Sequence, residues 1–82
     1  MNILAIGKLS GGDIAPHIEE EQRVAAELRR EGFILDSFRR RDRTGAILLV
    51  NASDADDAAQ RLATLPFVER DLITFELVEL VD

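Results

Sequence analysis

Residues 33–51 read FILDSFRRRDRTGAILLVN, and this stretch decides the fold because it holds two strands with no helix between them. Residues 33–41 read as a strand, the polar run Asp42-Arg43-Thr44-Gly45 as a hairpin connection, and residues 46–51 as the next strand. Within the latter, Ala46-Ile47-Leu48-Leu49-Val50 has no polar face, so both sides of that strand must be covered.

Upstream, residues 14–30 carry helical periodicity. At about 100° per residue, Ile14, Ile18, Ala25 and Leu28 fall on one stripe, with Glu21 on its midline and His17 and Val24 on its flank. Asp13 is placed to cap this helix, Pro16 is tolerated in its first turn, and Gly32 stops it. Before it, residues 2–9 place Ile3 and Ala5 on one side and Leu4 and Ile6 on the other, which is again a strand covered on both faces, and Ser10-Gly11-Gly12 breaks it. Downstream, Ser53 with Asp56 gives a capping-box-like start to a second helix whose buried face is Ala55, Ala58, Ala59, Leu62 and Leu65, and which Pro66 ends. Residues 72–81 form the last strand, with Ile73, Phe75 and Leu77 on one face and Leu72, Val78 and Leu80 mostly on the other.

The resulting order is βαββαβ, the split βαβ pattern of an α+β ferredoxin-like sandwich: a four-stranded antiparallel sheet with both helices on one face, in one domain over residues 1–82. Two helices cover only one side. The apolar residues of the other side would stay wet in a monomer, so a homodimer with two sheets face to face, closing an α+β barrel, is expected.

Composition narrows the function. An 82-residue chain with 46% hydrophobic residues buries a core near the lower limit of comfortable stability, which again favours help from a second subunit. Without cysteine and with a single histidine, no metal site is expected, and the absence of a nucleotide fingerprint leaves no cofactor to predict. A formal net charge of −6 opposes binding to nucleic acid, and the arginines of Phe38-Arg39-Arg40-Arg41-Asp42-Arg43 lack aromatic neighbours spaced for base stacking. A strand begins directly after Met1, with neither a basic leader nor an apolar h-region, so the expected location is cytoplasmic, with no membrane partner.

Chemistry concentrates at Glu21. A carboxylate on an apolar stripe is costly to ionise, so its pKa should rise towards the range of a general base at neutral pH. His17, one turn earlier, is placed to hydrogen-bond it. Arg39 and Arg41 are expected to share a strand face with Phe33 and Leu35, aiming guanidinium groups at a pocket mouth, where Arg39 would stabilise an enolate. Arg41, Phe38 and Phe67 complete the candidate substrate contacts, although Phe67 and Phe75 read more simply as core. The competing account of Glu21 is a structural network or an ion pair across a dimer. Asp54, Asp56 and Asp57 are better explained as caps than as a metal cluster.

The run Glu27-Leu28-Arg29-Arg30-Glu31-Gly32, the hairpin after the second strand, and above all Thr64-Leu65-Pro66-Phe67-Val68 leading into Ile73-Thr74-Phe75-Glu76-Leu77 resemble the muconolactone delta-isomerase-like family of the dimeric α+β barrel superfamily. The resemblance implies that fold, a cofactor-free proton shift on a small lactone or related carbonyl compound, and dimers that assemble into larger rings. Two departures accompany it: the chain stops at Asp82 where the isomerases carry a C-terminal tail, and Asp36-Ser37-Phe38-Arg39 replaces a more aromatic, histidine-bearing strand. Three function classes follow: a cofactor-free isomerase, a small-ligand-binding module on the same scaffold, and an oligomeric interaction protein. A pocket containing Glu21 would favour the first two.

Overall fold

The computed structural model describes residues 1–81. Strand β1 (Asn2–Leu9) is followed by a 3-10 turn (Ala15–His17), helix α1 (Ile18–Arg30), strands β2 (Ile34–Arg39) and β3 (Ala46–Asn51), helices α2 (Ala55–Leu62) and α3 (Pro66–Glu69), and strand β4 (Ile73–Glu79). The four strands form one sheet in the order β2-β3-β1-β4, with every neighbouring pair antiparallel. This is the expected α+β ferredoxin-like arrangement, with one additional short helix.

Strand alternation sorts the sheet into two faces. Ile3, Ala5, Leu48, Val50, Ile34 and Ile73 point to the helical side, where the first five join Leu28 of α1, Ala58 and Leu62 of α2, and Phe33 and Leu65 in one buried cluster. Leu4, Ile6, Ile47 and Leu49 occupy the alternate positions, and no helix among the described residues covers them. On this second face Phe38 is 58% exposed and Val78 38%.

Helix α1 ends as its sequence suggests. Gly32 takes a positive φ of 82°, its amide donates to Arg29 O, and the Phe33 amide donates to Leu28 O at 3.0 Å. That pair of reversed bonds closes the last turn and sets Phe33 beside Leu28 in the core.

Three local expectations are corrected. The 14–30 helix is not continuous α-helix: Pro16 sits in the 3-10 turn, and α-helix begins only at Ile18. Asp13 accepts from the Ala15 amide at 3.2 Å, two residues on and ahead of Ile14, which holds the cap position of that turn with no side-chain bond, so Asp13 does not cap α1. The second helix is capped one residue later than read, with Asp54 accepting from the Asp57 amide at 2.7 Å and Asp57 reaching back to Ser53 N. Pro66 does not end α2, which stops at Leu62, but starts α3, where its missing N–H costs nothing.

Candidate functional site

Ile14, just before the 3-10 turn, and Ile18, which opens α1, lie outside the buried cluster and line a cavity instead. This cavity, of about 920 Å³, lies between the helical layer and the sheet. Its floor is apolar: Leu48 of β3, Ile73 and Phe75 of β4, and Leu65 and Phe67 around the start of α3. The apolar stripe of the helix is therefore divided, with Leu28 in the core and Ile14, Ile18 and Ala25 lining the cavity wall.

Glu21 is the one acidic residue lining this cavity among the described residues. It is half-buried, and Oε1 accepts a hydrogen bond from the Phe67 backbone amide at 2.8 Å. Burial pushes its carboxyl above the usual carboxylate range, and the Phe67 amide opposes the shift. Helix α3 supplies that amide because Pro66 opens it and leaves the Phe67 N–H free of an intrahelical partner. One oxygen is fixed, and Oε2 accepts no hydrogen bond among the described residues.

The rim is cationic. Arg29 from α1 and Arg39, Arg40, Arg41 and Arg43 from the β2–β3 hairpin all line the cavity. The hairpin that carries four of them is ordered by its own bonds: Arg40 N donates to Gly45 O at 2.9 Å, and the Thr44 amide and hydroxyl both donate to Asp42 Oδ1. Arg43 adopts a left-handed φ of 63°, a conformation that favours glycine or asparagine over arginine. Arg40 lies 3.3 Å from Asp42, whereas the other four make no ion pair among the described residues.

Arg39 and Arg41 line the cavity and Phe33 lies in the core, as the alternation of residues 33–41 expects, but Leu35 departs from it. Ile34 pairs with Val50 and Asp36 with Leu49, so Leu35 is an extra residue forming a β-bulge. Beyond the bulge, Ser37 opposite Leu48 and Arg39 opposite Ala46 share the helical face. Leu35 does not share it, and Phe38, opposite Ile47, is turned to the far side of the sheet, away from Glu21. His17 is half-buried in the 3-10 turn, outside the cavity lining, and no hydrogen bond joins it to Glu21 among the described residues. The structure thus brings Glu21, Arg39, Arg41 and Phe67 to one cavity, and leaves His17 and Phe38 outside it. It adds Arg29, whose place in the last turn of a helix reads in sequence only as a favourable match to the helix dipole.

A smaller depression of about 360 Å³ lies at the opposite end of the sheet. There Arg61 stands 3.4 Å from Asp57 and 5.6 Å from the Phe33 ring centroid, so its charge is already matched. No helix among the described residues is long and apolar enough to cross a membrane.

No family model matches the chain, and no characterised protein matches it in sequence. Among solved structures, it is similar to 5-chloro-2-hydroxyhydroquinone dehydrochlorinase from Burkholderia phenoliruptrix AC1100 in complex with 2,5-dihydroxybenzoquinone, with a TM-score of 0.74 and 18% identity over 99% of this chain and 94% of that one. At that identity the likeness establishes the fold.

Proposed function

We propose that this protein is a cofactor-free enzyme that moves a proton on a small lactone or related carbonyl compound, in the manner of the muconolactone delta-isomerase-like family. The observation that carries the reading is a lone carboxylate with a raised pKa in an apolar cavity, with one oxygen held by the Phe67 amide and the other free. Glu21 Oε2 would take the proton alpha to the carbonyl, and Arg39 would stabilise the negative charge that develops on the carbonyl oxygen. The protonated Glu21 then returns the proton to a different carbon of the same ligand, so the base is regenerated without a second reactant. Arg41 at the mouth and Phe67 on the floor contact the substrate. The fold neighbour acts, by its name, on a chlorinated hydroxyhydroquinone, a ring whose chemistry also runs through enol and carbonyl forms.

Solvent-exchange NMR in deuterated buffer, with muconolactone and a panel of related lactones, tests the reaction. Deuterium should enter the substrate with the wild-type protein, and Glu21→Gln should slow entry roughly 100-fold or more. Unchanged exchange in that variant removes Glu21 from the role. Binding without turnover is the second reading, favoured by His17 standing apart from Glu21, and it predicts binding of these compounds with no exchange for any of them.

We also propose that the uncovered sheet face, with Leu4, Ile6, Ile47, Leu49, Phe38 and Val78, joins two copies into a homodimer. Light scattering at micromolar concentration should find dimers or larger assemblies, and a well-folded monomer would reject the interface.

A further inference from the structure

Arg29 lies two turns beyond Glu21 on the same side of α1, about 12 Å along the helix axis. Its Nη2 donates to Ser37 Oγ at 2.8 Å, across the gap between helix and sheet. That bond leaves the remaining N–H donors of the guanidinium uncommitted, and no carboxylate pairs with Arg29 among the described residues. A favourable helix-dipole contact would account for an arginine in the last turn, but it would account equally for Arg30, which neither lines the cavity nor bonds to the sheet. The bond to Ser37 is what distinguishes Arg29.

The β-bulge explains why a serine, and not an acid, meets it. Were Leu35 paired with Leu49, the next residue, Asp36, would oppose Leu48 and turn its carboxylate towards α1. With Leu35 extruded, Asp36 faces the far side and accepts from its neighbour's amide, Ser37 N, at 2.9 Å. Ser37 takes the inner position, where its hydroxyl orients Arg29 without neutralising it. The chain has sixteen acidic residues against ten basic ones, yet none of those acids pairs with this guanidinium.

We propose that Arg29 is the specificity-determining anchor for a carboxylate group on the ligand, and that Ser37 is its positioning residue. The ligand is then an organic carboxylate whose anionic group sits at the Arg29 end of the cavity, with its carbonyl and acidic C–H at the Glu21 end. A guanidinium meets a carboxylate through two parallel N–H donors, and a wall that fixes one edge of the fork presents the other edge in a set direction. The identity of the reacting end rests on the proton-transfer reading above, whereas the anchor does not.

Phenylacetate and its neutral amide, phenylacetamide, are suitable probes because they differ only in the anionic group. Titration of the wild-type protein, followed by amide NMR shifts, should show phenylacetate binding at least tenfold more tightly. Arg29→Ala should abolish that preference, and Arg29→Lys, which keeps the charge but loses the fork, should retain only part of it. Ser37→Ala should weaken phenylacetate binding several-fold while Ser37→Thr, which retains the hydroxyl, restores it, a rescue that a merely structural role for Ser37 would not give. Equal binding of the two probes to the wild type, no binding of either at 10 mM, or a preference that survives Arg29→Ala in a folded variant would each overturn the anchor. Arg29→Gln provides a second variant should Arg29→Ala fail to fold. A carboxylate preference that is intact in a protein showing no deuterium exchange would reject the proton-transfer reading alone.

Discussion

On the solvent side of α1, Arg23 is shared between Glu20 and Glu27, reaching Glu27 at 2.7 Å. On the cavity side, Glu21 and Arg29 are separated by two turns, and neither has an ion-pair partner among the described residues. The two sides also move neighbouring glutamates in opposite directions: the hydrogen bond from Arg23 holds the Glu20 carboxyl below its usual range, whereas burial lifts that of Glu21. Charges on the outer side satisfy one another and ask for nothing further. Those on the inner side have no such partner: Glu21 is half-buried with a raised pKa, and Arg29 meets only the Ser37 hydroxyl.

The widest separation between the two sides should appear in rate. Glu21→Gln is expected to slow solvent exchange roughly 100-fold, about 2.7 kcal/mol of barrier, whereas Glu20→Gln should leave it within twofold. Equal losses in the two variants would erase the distinction. The next effect concerns the glycine that terminates the helix carrying both groups. A Cβ at Gly32 would meet nothing within 4 Å, so Gly32→Ala should cost only the strain of a left-handed backbone, about 1–2 kcal/mol, measured by urea unfolding.

Stability against pH should separate the glutamates as well. Because the folded-state pKa of Glu21 is raised, its contribution is fully present below the unfolded-chain value of about 4.3 and is lost as pH rises through the folded value. Glu21→Gln still accepts from the Phe67 amide but does not titrate, so it should become more stable than the wild type as pH rises from 4 to neutrality. Glu20 has a lowered value, so its contribution is present above the unfolded value and fades as pH falls. Thermal unfolding of both variants across that range checks the opposite signs, and carboxyl-carbon NMR titration reads the two groups directly. The smallest effect is Arg23→Ala, which removes two exposed ion pairs and should leave the thermal unfolding midpoint almost unmoved without changing exchange.

Element order and type were legible because residues 18–30 carry a helical period while 2–9 and 46–51 are short, continuous apolar runs bounded by glycine and polar turns, and the sheet forms from those runs. Boundaries failed where a single residue overrides periodicity: Pro16 is tolerated in the first turn of a helix but sits in a tighter turn, and Pro66 marks a beginning although it follows an end. For the site, Glu21 was visible as a polar residue on an apolar line, and Arg39 and Arg41 as cations near it. His17 was misplaced because spacing along an ideal α-helix does not describe a 3-10 turn, where successive side chains rotate differently. Phe38 is out of phase with Arg39 on any alternating strand, so its place outside the cavity follows from the pattern. Arg29 was beyond reach for another reason: that Ser37 and not Asp36 meets it is set by the bulge at Leu35, and an alternating strand carries no mark of one extra residue.

That extra residue changes how this chain should be aligned and engineered. Positions that enter the cavity from β2 keep their phase when counted backwards from the hairpin, where Arg39 faces Ala46, and lose it when counted forwards from Gly32. A gap opened at position 35 would bring shorter homologues into phase with Ser37 and Arg39, while a gap anywhere later would exchange serine and arginine for aspartate and phenylalanine. For the same reason Leu35 is where a residue can be removed from this strand and the ladder simply closes, with the cavity's donors left where they stand.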